Sequence, residues 1–354
     1  MSKETMHDLN LHTLIGNTDQ RGHAWHYRAE DQGEESNHYP GPIPLPDVER
    51  RLFNWDAQAR PLAVEVPADL ETMTHLDGQG EPVRWAVTPD RQAITRSDNH
   101  HLMGIFTTGY QMHQYRTWLL DTVATVLDDD LCISSAGLLK QGAVAWVEVS
   151  IPDTVATPEG FDFRPNLLAT TSFDGSIATT FKRTITATVC DNTLGAALSE
   201  KGQAYKVKHS RYSQAKIGEA RDALAIVHTL AEDFANEITQ LTQTTVTDQQ
   251  WATFLDTTIP TTGADGSRVT GRAHTLADSK RARLESLYRH DQRVTPWAGT
   301  ALGVLQAVNT YEHHHATIRG TQRPERNMLR TITGDFTQID QHTRTTLNQV
   351  LATV

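Results

Sequence analysis

Two cysteines, Cys132 and Cys190, are all that the 354 residues contain. They build no disulfide framework and match no zinc spacing, so a reducing compartment is expected and no metal site is expected from thiols. Long apolar runs are missing as well. Hydrophobic residues make up 38% of the chain, and no stretch approaches the roughly 18 apolar residues of a membrane span, so a membrane is not an expected partner. Residues 1–16, MSKETMHDLNLHTLIG, have no charged segment leading into an apolar one, and no secretory signal is expected. Absent too are GxxxxGK[ST], a dinucleotide fingerprint opening a helix, GxSxG and HExxH. No nucleophile, base and orienting group can be assembled from what remains, so the chain reads as non-enzymatic, with no catalytic residue and no cofactor. Positive charge is scarce overall: the net charge of -11 argues at face value against a nucleic-acid coat.

What is present is a β-rich stretch at 166–213. Leu167, Leu168 and Ala169 lead through Thr170 to Phe173 into Asp174-Gly175, whose readiness for positive φ makes it a strong hairpin signal. On the returning run, period-two alternation puts Thr180, Lys182, Thr184, Thr186 and Thr188 on one face and Phe181, Arg183, Ile185, Ala187 and Val189 on the other. The threonine-and-lysine face reads as too polar for a core. Asp191, Asn192 and Thr193 then offer N-cap oxygens for a helix over LGAALSEK, with Gly202 where a left-handed terminal glycine belongs. A third strand follows, so the expected order is strand, turn, strand, helix, strand.

Around that centre, residues 1–45 read as an extended arm in which Pro40, Pro42, Pro44 and Pro46 enforce a stretched path and Trp25 and Tyr27 are anchors. A short helix begins at Pro46-Asp47, and strand-like segments follow at 62–66, 83–88 and 105–110. A helix is expected over 113–127, with Trp118, Leu119, Val123 and Val126 at helical spacing, and a second hairpin turns about Lys140-Gln141-Gly142. Beyond the centre, Ile217, Ala220, Leu224, Val227, Leu230, Ala231, Phe234 and Ile238 recur at three and four and predict a long helix over 213–242. Further helices follow from Trp251, before the 290s, and over 296–317. The fold class is α+β, with antiparallel β-hairpins packed on a long helix in a ββαβα-like centre and a mainly helical C-terminal third. Three regions are expected: 1–45, the proline-rich arm; 46–245, an α+β core domain; and 246–354, a helical C-terminal region.

Two clusters resemble metal sites at first sight. His313, His314 and His315 would fan over roughly 200° of a helix and so cannot share one ion. Asp128, Asp129 and Asp130 sit where a helix gives way to a strand and read as a solvated turn. Cys190 with His209 could be drawn as a thiol and base, but the strand position of Cys190 points to a buried small residue. The remaining signal is electrostatic. Between residues 176 and 222 there are eight Lys or Arg against four Asp or Glu. Lys182, with Lys206, Lys208, His209 and Arg211 arriving on the neighbouring segment and Lys216 beyond, could line a groove that tracks phosphates. A second basic cluster holds Arg319, Arg323, Arg326 and Arg330, of which Arg326 and Arg330 share a helix face.

The blocks SSAGLLKQGAVAWVEVSIP, LLATTSFDGSIATTFKRTITATVCDNTLGAAL, KHSRYSQAKIGEA and TPWAGTALGVLQAVNTYEHH resemble the phage/plasmid-like domain-of-unknown-function family that includes the YafZ and YfjQ proteins. The resemblance covers about residues 55–315. It implies a phage, prophage or plasmid origin and a place in the host cytoplasm, and it supplies no activity. At the level of fold, the hairpin feeding a third strand and a long helix also resembles single-strand annealing recombinases of the Redβ, RecT and Erf kind. Those proteins form rings or filaments that hold single-stranded DNA by its backbone without hydrolysing nucleotide.

The leading expectation is therefore a single-stranded DNA binding and annealing protein that self-associates and acts in recombination or replication. Its phosphate contacts would be Lys182, Lys206, Lys208, Arg211, Lys216, Arg326 and Arg330. The alternative is a module that binds a host or phage protein, such as a host defence or regulatory protein, through its acidic surface. Residues 1–60 carry ten Asp or Glu against six Lys or Arg, and favour that second reading.

Overall fold

The computed structural model describes residues 14–17, 35–65, 74–76, 82–125, 127, 131–150, 154–187, 192–195, 204–209, 227–261, 270–319 and 323–353. Along the chain the strands are β1 (Leu14–Asn17), β2 (His38–Tyr39), β3 (Ala57–Glu65), β4 (Thr74–Leu76), β5 (Pro82–Arg96), β6 (Leu102–Thr107), β7 (Cys132–Leu139), β8 (Val144–Ser150), β9 (Val155–Ala156), β10 (Asp162–Ser172), β11 (Thr179–Ala187), β12 (Asn192–Gly195) and β13 (Ala204–Val207). The α-helices are α1 (Leu45–Leu52), α2 (Asp121–Ala124), α3 (Val227–Gln243), α4 (Asp248–Thr258), α5 (Gly271–His290), α6 (Ala301–Thr310), α7 (Arg323–Thr333) and α8 (Asp335–Thr353), with π-helical turns at Arg116–Leu120 and Tyr311–His315. The fold is α+β, and the last third is helical as expected. No described helix is long and apolar enough to cross a membrane.

The chain forms two compact units by interleaving rather than by division at residues 45 and 245. The first comprises Met1–Val149, Leu168–Phe181 and Ala204–Leu224; the second comprises Ser150–Leu167, Lys182–Gln203 and Ala225–Val354.

In the first unit β1 lies between β2, which it meets in parallel, and β7, which it meets antiparallel with Leu14 opposite Gly137 and Ile15 opposite Ala136. Leu14 and Ile15 are buried. This corrects the expectation of an arm over 1–45: the LIG triplet is apolar enough to enter the sheet, and β2 follows within the same segment. Trp25 and Tyr27 lie outside the described residues. The expected hairpin at 140–142 is present, with Lys140 and Gln141 at φ 51° and 58° and Gly142 at 98°. Glycine suits that last position. The positive φ favours it, and a Cβ would meet the Arg96 guanidinium at 2.5 Å. Arg96 in turn lies 4.1 Å over the Trp55 ring and donates to Gln141 O at 3.1 Å, which ties the second sheet of this unit, built from β3, β5, β4 and β6, to the turn.

The Asp174-Gly175 hairpin is also present. Gly175 has φ 76°, the Asp174 carboxylate accepts from Ser176 N at 2.9 Å, and Lys140 Nζ reaches Asp174 at 2.7 Å. The two faces of β11 are less unlike than alternation predicts. Thr180 and Thr184 are as buried as Phe181 and Ile185. Threonine satisfies its hydroxyl locally, as Thr180 does by donating to Ala178 O at 2.7 Å, and then buries its methyl.

The helix expected over LGAALSEK, with Asp191, Asn192 and Thr193 as its cap candidates, is a second correction. In the second unit residues 192–195 form β12 and pair antiparallel with β11, Thr184 opposite Gly195 and Ala187 opposite Asn192. Asn and Thr suit a turn into a strand as well as a helix cap, and ladder pairing decided between them. The remainder of LGAALSEK and Gly202 lie outside the described residues, as do Cys190 and the Asp128 to Asp130 run. The third strand, β13, is where it was expected.

The core of the second unit gathers Phe161, Phe163 and Ile185 with Phe234 and Ile238 of α3, Trp251 and Phe254 of α4, Leu284 and Tyr288 of α5 and Leu302 and Leu305 of α6. Every residue of α6 is buried, which makes it the central helix of the unit. α4 starts on a capping box in which Thr247 and Gln250 each bond the other's backbone N–H. Of the helix expected over 213–242, the described part is α3.

Candidate functional site

The seven residues expected to contact phosphate fall into three groups. Lys182 projects from β11 in the second unit and donates through Nζ to Thr331 O and, at 3.0 Å, to Ile332 O. Those carbonyls belong to the last turn of α7, where no further helical N–H can meet them, and a cation there is favoured by the helix dipole. Arg326 and Arg330 do share a helix face, and both converge on Glu312. Arg326 donates to Glu312 O at 3.1 Å, while Arg330 donates to Glu312 Oε2 at 3.1 Å and lies 4.7 Å over the Phe336 ring. Arg323 joins them by donating to His313 O and Ala316 O at 3.0 and 3.1 Å. Together with Asn327, which donates to His313 O at 3.0 Å, they close the C-terminal end of the Tyr311–His315 turn. Burial holds the Arg323 and Arg326 guanidinium pKa values below the ordinary arginine range.

Lys206 and Lys208, in the first unit, behave differently. Both are exposed, with Val207 buried between them, as period two on a half-covered strand requires. Arg211 and Lys216 lie outside the described residues.

Immediately after Lys208, His209 turns inward to a column of rings. Phe106 stacks on Tyr110 with centroids 3.9 Å apart, Tyr110 on His209 at 5.0 Å, His209 on His113 at 3.9 Å, and His113 on Trp118 at 3.7 Å. The Trp118 end is buried, whereas Phe106 and Tyr110 are half-buried. The Tyr110 hydroxyl donates to Ser172 O at 3.2 Å, and burial raises its pKa well above the usual phenol range.

Hydrogen bonds fix the protons in this column. His209 Nδ1 lies 3.1 Å from Gln111 O, which can only accept, so Nδ1 carries the hydrogen and Nε2 a lone pair. Thr171 Oγ1, 3.0 Å from that Nε2, must therefore donate to it. With its hydrogen committed, Thr171 accepts from Thr179 Oγ1 at 2.8 Å, and Thr179 accepts from His113 Nδ1 at 2.6 Å. Thr179 also lies 3.5 Å from His209 Nε2. The chain thus has one direction, from His113 through two hydroxyls to His209 and the Gln111 carbonyl. It leaves His113 Nε2 as a buried acceptor with no partner among the described residues. Burial, helped by the neighbouring ring, pulls His113 down to about 3, and burial pulls His209 down to about 4, so both imidazoles are neutral at neutral pH.

The second unit holds a comparable imidazole. His313 is buried in the π-helical turn, donates through Nδ1 to Asn309 O (3.0 Å), and stacks 3.8 Å from Phe336. Burial brings it down to about 3. Asn309 also donates to the buried Asp340 carboxylate at 2.9 Å. Among the described residues no three His, Cys, Asp or Glu gather to hold a metal ion.

The ring column was not read from the sequence, because its members are spread from residue 106 to residue 209. One part could have been found. A hairpin centred on Gly175 places Thr171 opposite Thr179, so two hydroxyls on a buried face were implied by the turn itself.

The model of one family, described as a domain of unknown function and designated DUF932, matches residues 102–333, more than half of the chain. No curated protein and no solved structure matches.

Proposed function

The chain belongs to the DUF932 family, and we propose that it is a non-enzymatic protein that binds and anneals single-stranded DNA, of the YafZ/YfjQ-like phage and plasmid type, working in the host cytoplasm as a ring or filament. The observation that carries this reading is the exposed pair Lys206 and Lys208, joined through His209 to a half-buried aromatic stack. Single strands are held by cations that track phosphates beside rings that receive bases, without sequence preference. Lys182, Arg326 and Arg330 have carbonyl or carboxylate partners within the fold, so the phosphate-contacting set narrows to Lys206 and Lys208, with Arg211 and Lys216 retained from the sequence.

Fluorescence anisotropy with a labelled single-stranded oligonucleotide tests the reading. Affinity is expected to fall steeply between about 50 and 200 mM salt as counterions are released. The Lys206→Glu, Lys208→Glu variant should weaken binding to all sequences alike and reduce the salt slope by about 1 per lysine. Absence of binding by the wild type at micromolar protein would overturn the proposal. Light scattering with and without the oligonucleotide tests assembly, and a monomer in both conditions would remove annealing from it.

A second reading has its own observation. Val64, Trp85, Val87, Leu102 and Ile105, all on β3, β5 and β6, are exposed large apolar residues. Of these, Trp85 and Val87 alternate along β5 and so share one face, an exposed apolar pair that favours a module that docks a host or phage protein. Pull-down from host lysate before and after nuclease treatment separates the two: a partner protein retained after nuclease, with no oligonucleotide binding, supports this second reading.

A further inference from the structure

The stretch that carries Lys206 and Lys208 is short and pairs with β11. β13 is four residues long, and of its described side chains only Val207 is buried. The residue that ends it is unlike the lysines. His209 has its ring between Tyr110 and His113, its Nδ1 on Gln111 O and its Nε2 on Thr171. Thr171 and Thr179 are fully buried, and the directed chain His113–Thr179–Thr171–His209 has no slack, since each hydroxyl has a single hydrogen and it is already assigned.

We propose that this hydroxyl relay is a latch that fixes the end of β13 and thereby presents Lys206 and Lys208, making Thr171, Thr179 and His113 positioning residues for a surface they do not reach. The proposal rests on the single-strand-binding reading for its consequence and on the relay alone for its mechanism. A latch made of side-chain hydroxyls predicts a specific chemical requirement. Serine at 171 keeps the oxygen and its hydrogen; valine keeps the shape and loses both.

Hydrogen exchange of the amides at 204–209 measures the latch with no oligonucleotide present. Thr171→Val is expected to lower protection there roughly fivefold to tenfold, the effect of one lost buried hydrogen bond, while β7 and β8 keep theirs. Thr171→Ser is expected to restore it. His209→Phe, which keeps the stacked ring and removes both nitrogens, should behave like the valine variant and serves if that variant does not fold. Equal protection in all variants, or a uniform loss across the first unit, overturns the latch. Oligonucleotide affinity is then compared under the same conditions. Weaker binding by Thr171→Val and recovery by Thr171→Ser support the positioning role, and unchanged affinity despite lost protection overturns it. If the wild type binds no oligonucleotide while the valine variant still loses protection locally, the latch stands and the single-strand-binding reading falls.

Discussion

Lys182 shares a basic stretch of sequence with the cations of β13, and Arg323, Arg326 and Arg330 come from a second, yet the fold uses the β13 pair and the cations around α7 in opposite ways. Lys182, Arg323 and Arg326 meet backbone carbonyls at the ends of α7 and of the Tyr311–His315 turn, and Arg330 meets the Glu312 carboxylate. Lys206 and Lys208 face solvent, and the residue beside them, His209, makes the inward contacts. Positive charge in a sequence is therefore not yet positive surface. A cation near a helix C-terminus has unsatisfied carbonyls competing for it, whereas a cation on an outward strand position has only water until a ligand arrives.

The largest effect expected is one that the two units share. His113, His209 and His313 have folded pKa values pulled below the ordinary 6.5, to about 3, 4 and 3. Unfolded histidine takes up a proton near pH 6.5 while the folded residues do not, so the unfolded state binds more protons below that pH. The stabilising contribution of the neutral imidazoles is complete above pH 6.5 and is lost progressively down to about pH 3 to 4. Urea denaturation followed from pH 7 to pH 4 should show it, with a shallower decline in a His113→Gln, His313→Gln variant. A flat profile for the wild type would contradict the burial of these rings.

The next effects separate the regions. Lys182→Met should lower stability by about 2 kcal/mol, because two helix-end carbonyls lose a charged donor. Asn327→Ala should cost about 1 kcal/mol, one neutral donor to a carbonyl that Arg323 also serves. Lys206→Met with Lys208→Met should change stability by no more than about 0.5 kcal/mol, as exposed residues away from caps and cores do. Denaturation midpoints in that order sharpen the contrast; a destabilised lysine pair on β13 would break it.

Much of this architecture is legible in local chemistry. Both hairpins are written in their turns, Asp174-Gly175 and Lys140-Gln141-Gly142, because positive φ is a local demand. The helical last third is written in its apolar periodicity, and Arg326 and Arg330 share a face because four residues are about one helical turn. What the sequence does not show is settled between distant residues. Leu14 and Ile15 enter a sheet because β7 offers them a ladder. Asn192 and Thr193 extend a strand instead of capping a helix because β11 lies beside them. The same holds for the candidate site. Lys182 lies on a strand face that alternation calls polar, but the threonines around it are buried and its ammonium is taken by α7. Equally, no spacing rule joins Phe106, Tyr110, His113 and His209, which meet only once the first unit has folded.

The central claim is that the nucleic-acid face is the β13 pair and that the cations around α7 serve the fold. The most direct measurement is anisotropy of one labelled single-stranded oligonucleotide at low salt with three proteins: wild type, Lys206→Glu with Lys208→Glu, and Lys182→Met held under conditions where it is fully folded. The expected result is binding by the wild type and by Lys182→Met with the same salt slope, and affinity reduced by about tenfold or more in the double charge reversal, which loses two phosphate contacts. Equal binding by the wild type and the double variant, or loss of binding in folded Lys182→Met, would contradict it.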